Sequence, residues 1–297
     1  MRDTPFQQLV WRLNPHAEVL RSWALAGGVS AQVMALEVRI PGGSVERWVL
    51  RQHGEADVRG KPSVADDEFH LLRLLTSAGL PVPRPLYADS SGVLFPAPVL
   101  VTGYVEGQTV LTPANPTDCA VQMADFLLRL HAVRWVGELP FLRPLPDLSE
   151  RPAVLDETLD EGTIRDALEP VWPPTPRNAP TLLHGDFWPG NVLWREGRLA
   201  AVIDWEDAAL GDPLADLANA RLETLFFYGP DAMDELTGRY RAGSGLDFAP
   251  LPLWDLRAAL RPAGRLAGWG LEAEVEETLR ARHGWFVRQA LNGLLAP

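Results

Sequence analysis

The period of the hydrophobic pattern changes once along this chain, near Glu106-Gly107, and that change limits the fold more than any other feature. Before it, WALAGGVSAQVMALEVRI, the turn Pro41-Gly42-Gly43 and VERWVLRQH read as three short strands, the first two joined at Gly27-Gly28. Thr4-Pro5 ahead of FQQLVWRL predicts a capped helix start. VADDEFHLLRLLTSA, residues 64–78, has helical spacing and Gly79 as its stop, and PVLVTGY, residues 98–104, predicts another strand. Beyond the change, residues 116–135 predict one long helix. From Pro213 to Leu295 the pattern is almost wholly helical, with breaks near Gly229, Gly243 and Gly268 to Gly270. These elements predict an α+β chain of two lobes. Residues 1–104 form a small antiparallel-sheet lobe, and residues 105–297 form a larger, mainly helical one.

Composition narrows the partners. The 297 residues are 46% hydrophobic, enough for a substantial core. The first residues lack an apolar stretch and no later run reaches membrane length, so a cytoplasmic protein with no membrane contact is expected. Cys119 is the sole cysteine, which excludes an internal disulfide. A net charge of -12 argues against a nucleic-acid partner. Lys61 is the sole lysine, and the other 26 basic side chains are arginines.

Residues 183–191, LHGDFWPGN, lie between two apolar runs, and Gly185, Pro189 and Gly190 forbid a helix there. NVLW and LAAVID then read as a hairpin joined by Arg195-Glu196-Gly197-Arg198. Pairing Trp194 with Leu199 places Asn191 opposite Val202 and brings Asn191 and Asp204 to one face at the open end of the hairpin. Two oxygen-bearing side chains there, with Asp186 just before, suit a hard divalent cation that shares its ligands with phosphate. The same residues also suit Asx turns that satisfy loop backbone groups. Spacing alone leaves both readings open.

HGDFWPGN followed by IDWE and GDPLADLA resembles the signature of the aminoglycoside phosphotransferase family, the small-molecule branch of the protein-kinase-like fold. The likeness covers nearly the whole chain, since the order of the two lobes also matches. It implies that Asp186 accepts or orients the proton of a substrate hydroxyl. It further implies that Asn191 and Asp204 bind Mg2+ bridging the phosphates of ATP or GTP. His184 reads as a packing and hydrogen-bonding residue of the loop, and Asp212 and Asp216 as caps of a helix start.

In the sheet lobe the resemblance makes Gly27, Gly28 and Ser30 a phosphate-covering turn and Val33 a roof over the adenine. Strand alternation puts Val49 and Arg51 on one face, Val49 against the base and Arg51 toward the phosphates. The chain departs from the usual pattern here, because kinases place lysine where this sequence has Arg51, and Lys61 lies too far along. Arginine keeps the charge with a planar fork. Glu68 is its expected partner, and Gly103 and Tyr104 the expected adenine-binding hinge.

The acceptor is left open. Residues 147–169 hold eight carboxylates against Arg151 and Arg165, and this excess, with Glu206 and Asp207 beside the metal loop, favours a cationic acceptor such as an antibiotic or amino-sugar-like metabolite. A solvated helix face explains the same charges. Trp254, Trp269 and Trp285 suit core packing or stacking on a sugar. Loss of the usual lysine keeps a second function open, a catalytically weak nucleotide-binding regulatory protein of the same fold.

Overall fold

The computed structural model describes residues 4–25, 32–54, 58–59, 61–134 and 139–295. The chain divides into two compact units, Met1–Gly107 with Ala200–Glu206, and Gln108–Leu199 with Asp207–Pro297. Sequence reasoning placed residues 200–206 in the second lobe. They join the first because Val202 N–H donates to Pro81 O at 2.9 Å, Trp205 N–H reaches Glu68 at 3.4 Å, and Asp204 and Glu206 pair with Arg51.

The first unit opens with α1 (Pro5–Leu13), whose Thr4 hydroxyl accepts the Gln7 N–H at 3.3 Å, with Pro5 in the first turn where its missing N–H costs nothing. Strands β1 (Glu18–Ala24), β2 (Gln32–Arg39), β3 (Val45–Gln52), β4 (Pro85–Asp89) and β5 (Val99–Gly103) form one antiparallel sheet in the order β1-β2-β3-β5-β4. Alternation sets its two faces. Leu36, Val38, Trp48, Leu50, Val99 and Val101 pack with Leu9 and Val10 of α1. Val49 and Arg51 point to the other face. Helix α2 (Val64–Ser77) packs on β4 and β5 through a stripe that includes Leu71, Leu72 and Leu75.

The second unit is built on α3 (Pro116–His131), α4 (Glu161–Leu168), α5 (Leu214–Tyr228), α6 (Pro230–Ser244), α7 (Leu251–Ala259) and α8 (Ala273–Leu295). Helix α5 is buried on nearly every side, which explains its lack of an amphipathic pattern. It carries a buried ion pair, Arg221 with Asp255 of α7 at 3.0 Å. A small sheet, β6 (Arg143–Pro144), β10 (Ala209–Gly211) and β7 (Thr181–Leu183), leads into the 183–191 loop.

Three local expectations change. The helix expected over 116–135 ends at His131, with Ala132 as its cap. The hairpin of β8 (Val192–Arg195) and β9 (Arg198–Val202) turns on two residues rather than four, because Glu196 (φ 51) and Gly197 (φ 73) are both left-handed and match the strand twist. Gly243 does not break α6; a Cβ there would meet Leu128 of α3 at 2.5 Å, so the residue sits at a close helix crossing. The break falls at Gly245, φ 66.

Candidate active site

In the helical unit the 184–191 loop is held from below by Asp216, in the first turn of α5. Its carboxylate accepts the backbone N–H groups of His184 at 2.7 Å and Gly185 at 2.9 Å, and lies 3.3 Å from His131 Nε2. Burial opposes the charge of Asp216, yet His131, His184 and these amides hold its pKa below the usual carboxylate range. Its work is therefore more than capping: an ionised group under the loop fixes the loop backbone. His184 is fully buried, and its Nδ1 lies 3.2 Å from the Asp186 N–H, in keeping with the packing role read from the sequence. Gly185 has φ +85, and a Cβ there would stand 2.1 Å from the carbonyl oxygen of Asp207.

Asp186 is thereby presented on a fixed backbone, its side chain about a third exposed. Asn191 Nδ2 donates to the Asp186 carbonyl at 2.9 Å and to its carboxylate at 3.3 Å, which fixes the amide plane of Asn191. Two further side chains reach Asp186 that local pattern did not reveal. Arg261, just past α7, pairs with its carboxylate and donates to Gly185 O at 3.1 Å. Glu223 of α5 is buried nearby, and burial, reinforced by the Asp186 charge and partly offset by Arg261, pushes its pKa up to about 8.

Glu223 gives a pH prediction. Its folded pKa, about 8, lies above the ordinary 4.5, so the folded state keeps a proton that the unfolded chain loses. The associated stability is complete below pH 4.5 and is lost as the pH rises toward 8. Glu223→Gln should melt higher than the parent by a margin that widens from about pH 5 to about pH 8. Parallel melting curves for the two proteins across that range would contradict the assignment.

In the sheet unit Arg51 meets three carboxylates: Glu68 at 3.3 Å, Asp204 at 2.7 Å and Glu206 at 2.6 Å. Burial opposes its charge, but Glu68, Asp204 and Glu206 together raise its pKa further. Of the three acids at the start of α2, Glu68 is the one that meets Arg51; Asp67 pairs with Lys61 at 3.3 Å and Asp66 accepts from Ser90 at 2.6 Å. Glu206, expected at the acceptor, is engaged with Arg51. Asp204 has φ 68, an unusual backbone for a residue with a Cβ.

Val33 and Val49 lie on the Arg51 face, Val33 directly opposite Arg51 across the β2–β3 ladder. At the expected hinge, the Gly103 N–H already donates to Arg84 O at 2.8 Å and the Tyr104 N–H to Arg47 O at 2.9 Å. Both amides of the expected hinge are thus occupied within the sheet unit. Gly27, Gly28 and Ser30 lie outside the described residues.

Three of the eight carboxylates of the acidic insert pair with its own two arginines. Arg165 bonds Glu161 at 2.9 Å and Glu169 at 3.2 Å, and Arg151 bonds Asp166 at 2.6 Å and Glu169 at 3.1 Å. Asp156 accepts backbone N–H groups from Thr158 and Gly264. Trp254 is buried, whereas Trp269 and Trp285 are each 40% exposed. Among the described residues no three His, Cys, Asp or Glu side chains gather as a metal cage, and no helix is long and apolar enough to cross a membrane.

A sheet unit carrying a strand-to-helix Arg51–Glu68 pair, followed by a helical unit presenting Asp186 and Asn191 on one loop, defines the two-lobed protein-kinase-like fold. Solved structures bear this out. An amicoumacin kinase in complex with AMP-PNP, Ca2+ and Ami superposes with a TM-score of 0.65 over 95% of this chain and 93% of its own, at 16% identity. A thermostable mutant of aminoglycoside phosphotransferase APH(4)-Ia, in ternary complex with AMP-PNP and hygromycin B, does so with a TM-score of 0.63 over 96% and 98%, at 20% identity.

The chain belongs to the APH phosphotransferase enzyme family, whose model matches residues 24–283. Among curated proteins it is 26% identical over 229 residues to human (Homo sapiens) acyl-CoA dehydrogenase family member 11, covering 68% of this chain and 28% of that protein. It is 27% identical over 186 residues to homoserine kinase of Polaromonas naphthalenivorans (strain CJ2), covering 52% and 56%. The chain thus spans less than a third of that human relative.

Proposed function

We propose that this protein transfers the γ-phosphoryl group of ATP or GTP to a hydroxyl of a small molecule. The observation that carries the reading is Asp186, held by Asp216 and Asn191 on a rigid loop with its carboxylate partly open to solvent. A carboxylate so placed can take the hydroxyl proton as the new bond to phosphorus forms. In the sheet unit Arg51, braced by Glu68, faces the phosphates, Val33 and Val49 lie against the base, and the backbone at Gly103 and Tyr104 meets its edge. Asn191 and Asp204 are oxygen donors of the kind that suit Mg2+, and the sparse protein ligand set fits an ion that takes its other ligands from phosphate and water. Such an ion, when bound, supplies positive charge against the phosphate oxygens.

The three carboxylates around Arg51 support a second reading, a nucleotide-binding protein with weak turnover, because they compete with phosphate for the guanidinium. Arg51→Ala should raise the nucleotide Kd by roughly tenfold or more, and Arg51→Lys should recover part of the loss. Unchanged nucleotide affinity in the alanine variant would remove Arg51 from the site. Acceptor-stimulated, Mg2+-dependent nucleotide consumption across a panel of hydroxylated small molecules tests the function itself; binding with no turnover on any acceptor would favour the second reading.

A further inference from the structure

Beside Gly185 the helical unit has a small, partly open cleft, lined by Asp216, Asn219, Trp254, Arg257 and Arg261 among others. Two of its walls are guanidinium groups. Arg257 lies in the last turn of α7 and Arg261 four residues on, so both project from one side of that helix end. Arg261 is one hydrogen bond from Asp186, the residue proposed to receive the hydroxyl proton. Any acceptor whose hydroxyl rests on Asp186 therefore has Arg261 as its neighbour.

Arg257 is held in place by uncharged groups. Its guanidinium stands 5.7 Å from the Trp172 ring and 5.8 Å from the Trp254 ring, and Nη2 donates to Pro146 O at 2.7 Å. Its Nε finds no hydrogen-bond partner among the described residues. Burial and the charge of Arg261 lower its pKa to about 10, with Asp147 acting the other way. Asp147 is itself engaged by Trp172 Nε1 and the Leu148 N–H. Asp216 faces His131 and the loop amides, and Glu223 is mostly protonated at neutral pH. Arg261 is thus paired with Asp186, whereas Arg257 makes no ion pair among the described residues.

A second observation comes from Asn219 of α5. It is 4% exposed, its Nδ2 donates to Phe187 O at 3.1 Å, and its Oδ1 has no hydrogen-bond partner among the described residues although the residue lines the cleft. A buried carbonyl without a donor is costly, and a ligand hydroxyl would satisfy it.

We propose that the acceptor is an anionic alcohol, its carboxylate or phosphate held by Arg257 and Arg261 and its hydroxyl group placed between Asn219 Oδ1 and Asp186. This deepens the kinase reading and rests on it for the role of Asp186. It departs from the cationic acceptor suggested by the acidic insert, three of whose carboxylates are taken up by Arg151 and Arg165. An ammonium group here would be repelled by the unpaired Arg257, whereas an anion takes the remaining N–H donors of the two guanidiniums.

The test uses the full chain with four probes matched in size: hydroxybutyrate, glycerol phosphate, glycerol and ethanolamine. Binding is read by tryptophan fluorescence and calorimetry, and transfer by nucleotide consumption with Mg2+ and ATP or GTP. Hydroxybutyrate or glycerol phosphate should bind at least about tenfold more tightly than glycerol or ethanolamine, and the stronger of the two identifies the anion. Arg257→Met should erase that preference, and Arg257→Lys should keep part of it; Arg257→Met melting as the parent does would show the fold to be retained. If Arg257→Met does not fold, the preference of the parent and of Arg257→Lys decides the matter. Anion-selective binding without transfer would uphold the cleft and count against the kinase reading. Transfer to ethanolamine or glycerol in preference to both anions would overturn the proposal and leave the kinase reading standing. Equal binding of all four probes would also overturn it.

Discussion

Replacing Asp186 by alanine is expected to lower the rate of phosphoryl transfer by about a thousandfold while leaving nucleotide affinity within a few-fold of the parent. The residues proposed to hold the base and phosphates lie in the sheet unit, whereas Asp186 sits in the loop anchored by Asp216. Losing the carboxylate removes the proton acceptor and also leaves Arg261 with its bond to Gly185 O as its remaining loop contact. Glu223 should respond as well: without the Asp186 charge its pKa should fall from about 8, which an Asp186→Asn variant would register as a weaker pH dependence of melting. Single-turnover kinetics beside equilibrium nucleotide binding separates the two effects. Undiminished transfer in the alanine variant would end the assignment of Asp186 as base.

The second large effect is expected at Gly185. Alanine there must tolerate a left-handed backbone and a Cβ placed 2.1 Å from the Asp207 carbonyl oxygen, a contact that a real side chain cannot make. Strain and overlap together should cost roughly 3 kcal/mol or more and displace the loop that carries Asp186. Gly197→Ala is the matched control, since Gly197 has φ +73 with nothing within 4 Å of a Cβ, and it should lose only about 1 kcal/mol. Chemical denaturation of both variants, with activity measured on the folded fraction, gives the difference. Equal destabilisation would mean that the loop gives way around the new methyl group and that Gly185 is not what fixes it.

Much of this was visible in one dimension. Thr4 and Pro5 start α1 for reasons internal to a few residues, because the cap and the fixed proline φ act locally. The sheet strands follow from alternation, and the pairing of Arg51 with Glu68, expected from the family resemblance, is what the structure forms. The 183–191 loop announced itself through glycine and proline, which restrict the backbone whatever surrounds them. Local rules also erred where a neighbour intervened. Gly243 has the sequence look of a helix break, yet Leu128 of a different helix is the reason it is glycine.

Asp216 had the spacing of a helix cap, and nothing near it in sequence hints that its carboxylate carries the backbone of residues 184 and 185. Arg257, Arg261, Asn219 and Glu223 carry no motif at all, and they matter through what α5 and α7 bring beside Asp186. Periodicity, turn chemistry and motif spacing act over a handful of residues, and they were sufficient for most of the elements and the two-lobed plan, while the phosphate-handling roles were expected from the resemblance. The charge of the proposed acceptor cleft depends on burial and on which side chains meet across long separations. Those are properties of packing, so an acidic sequence, -12 overall, folds to present two arginines in the cleft beside Gly185, one of them paired with the proposed base.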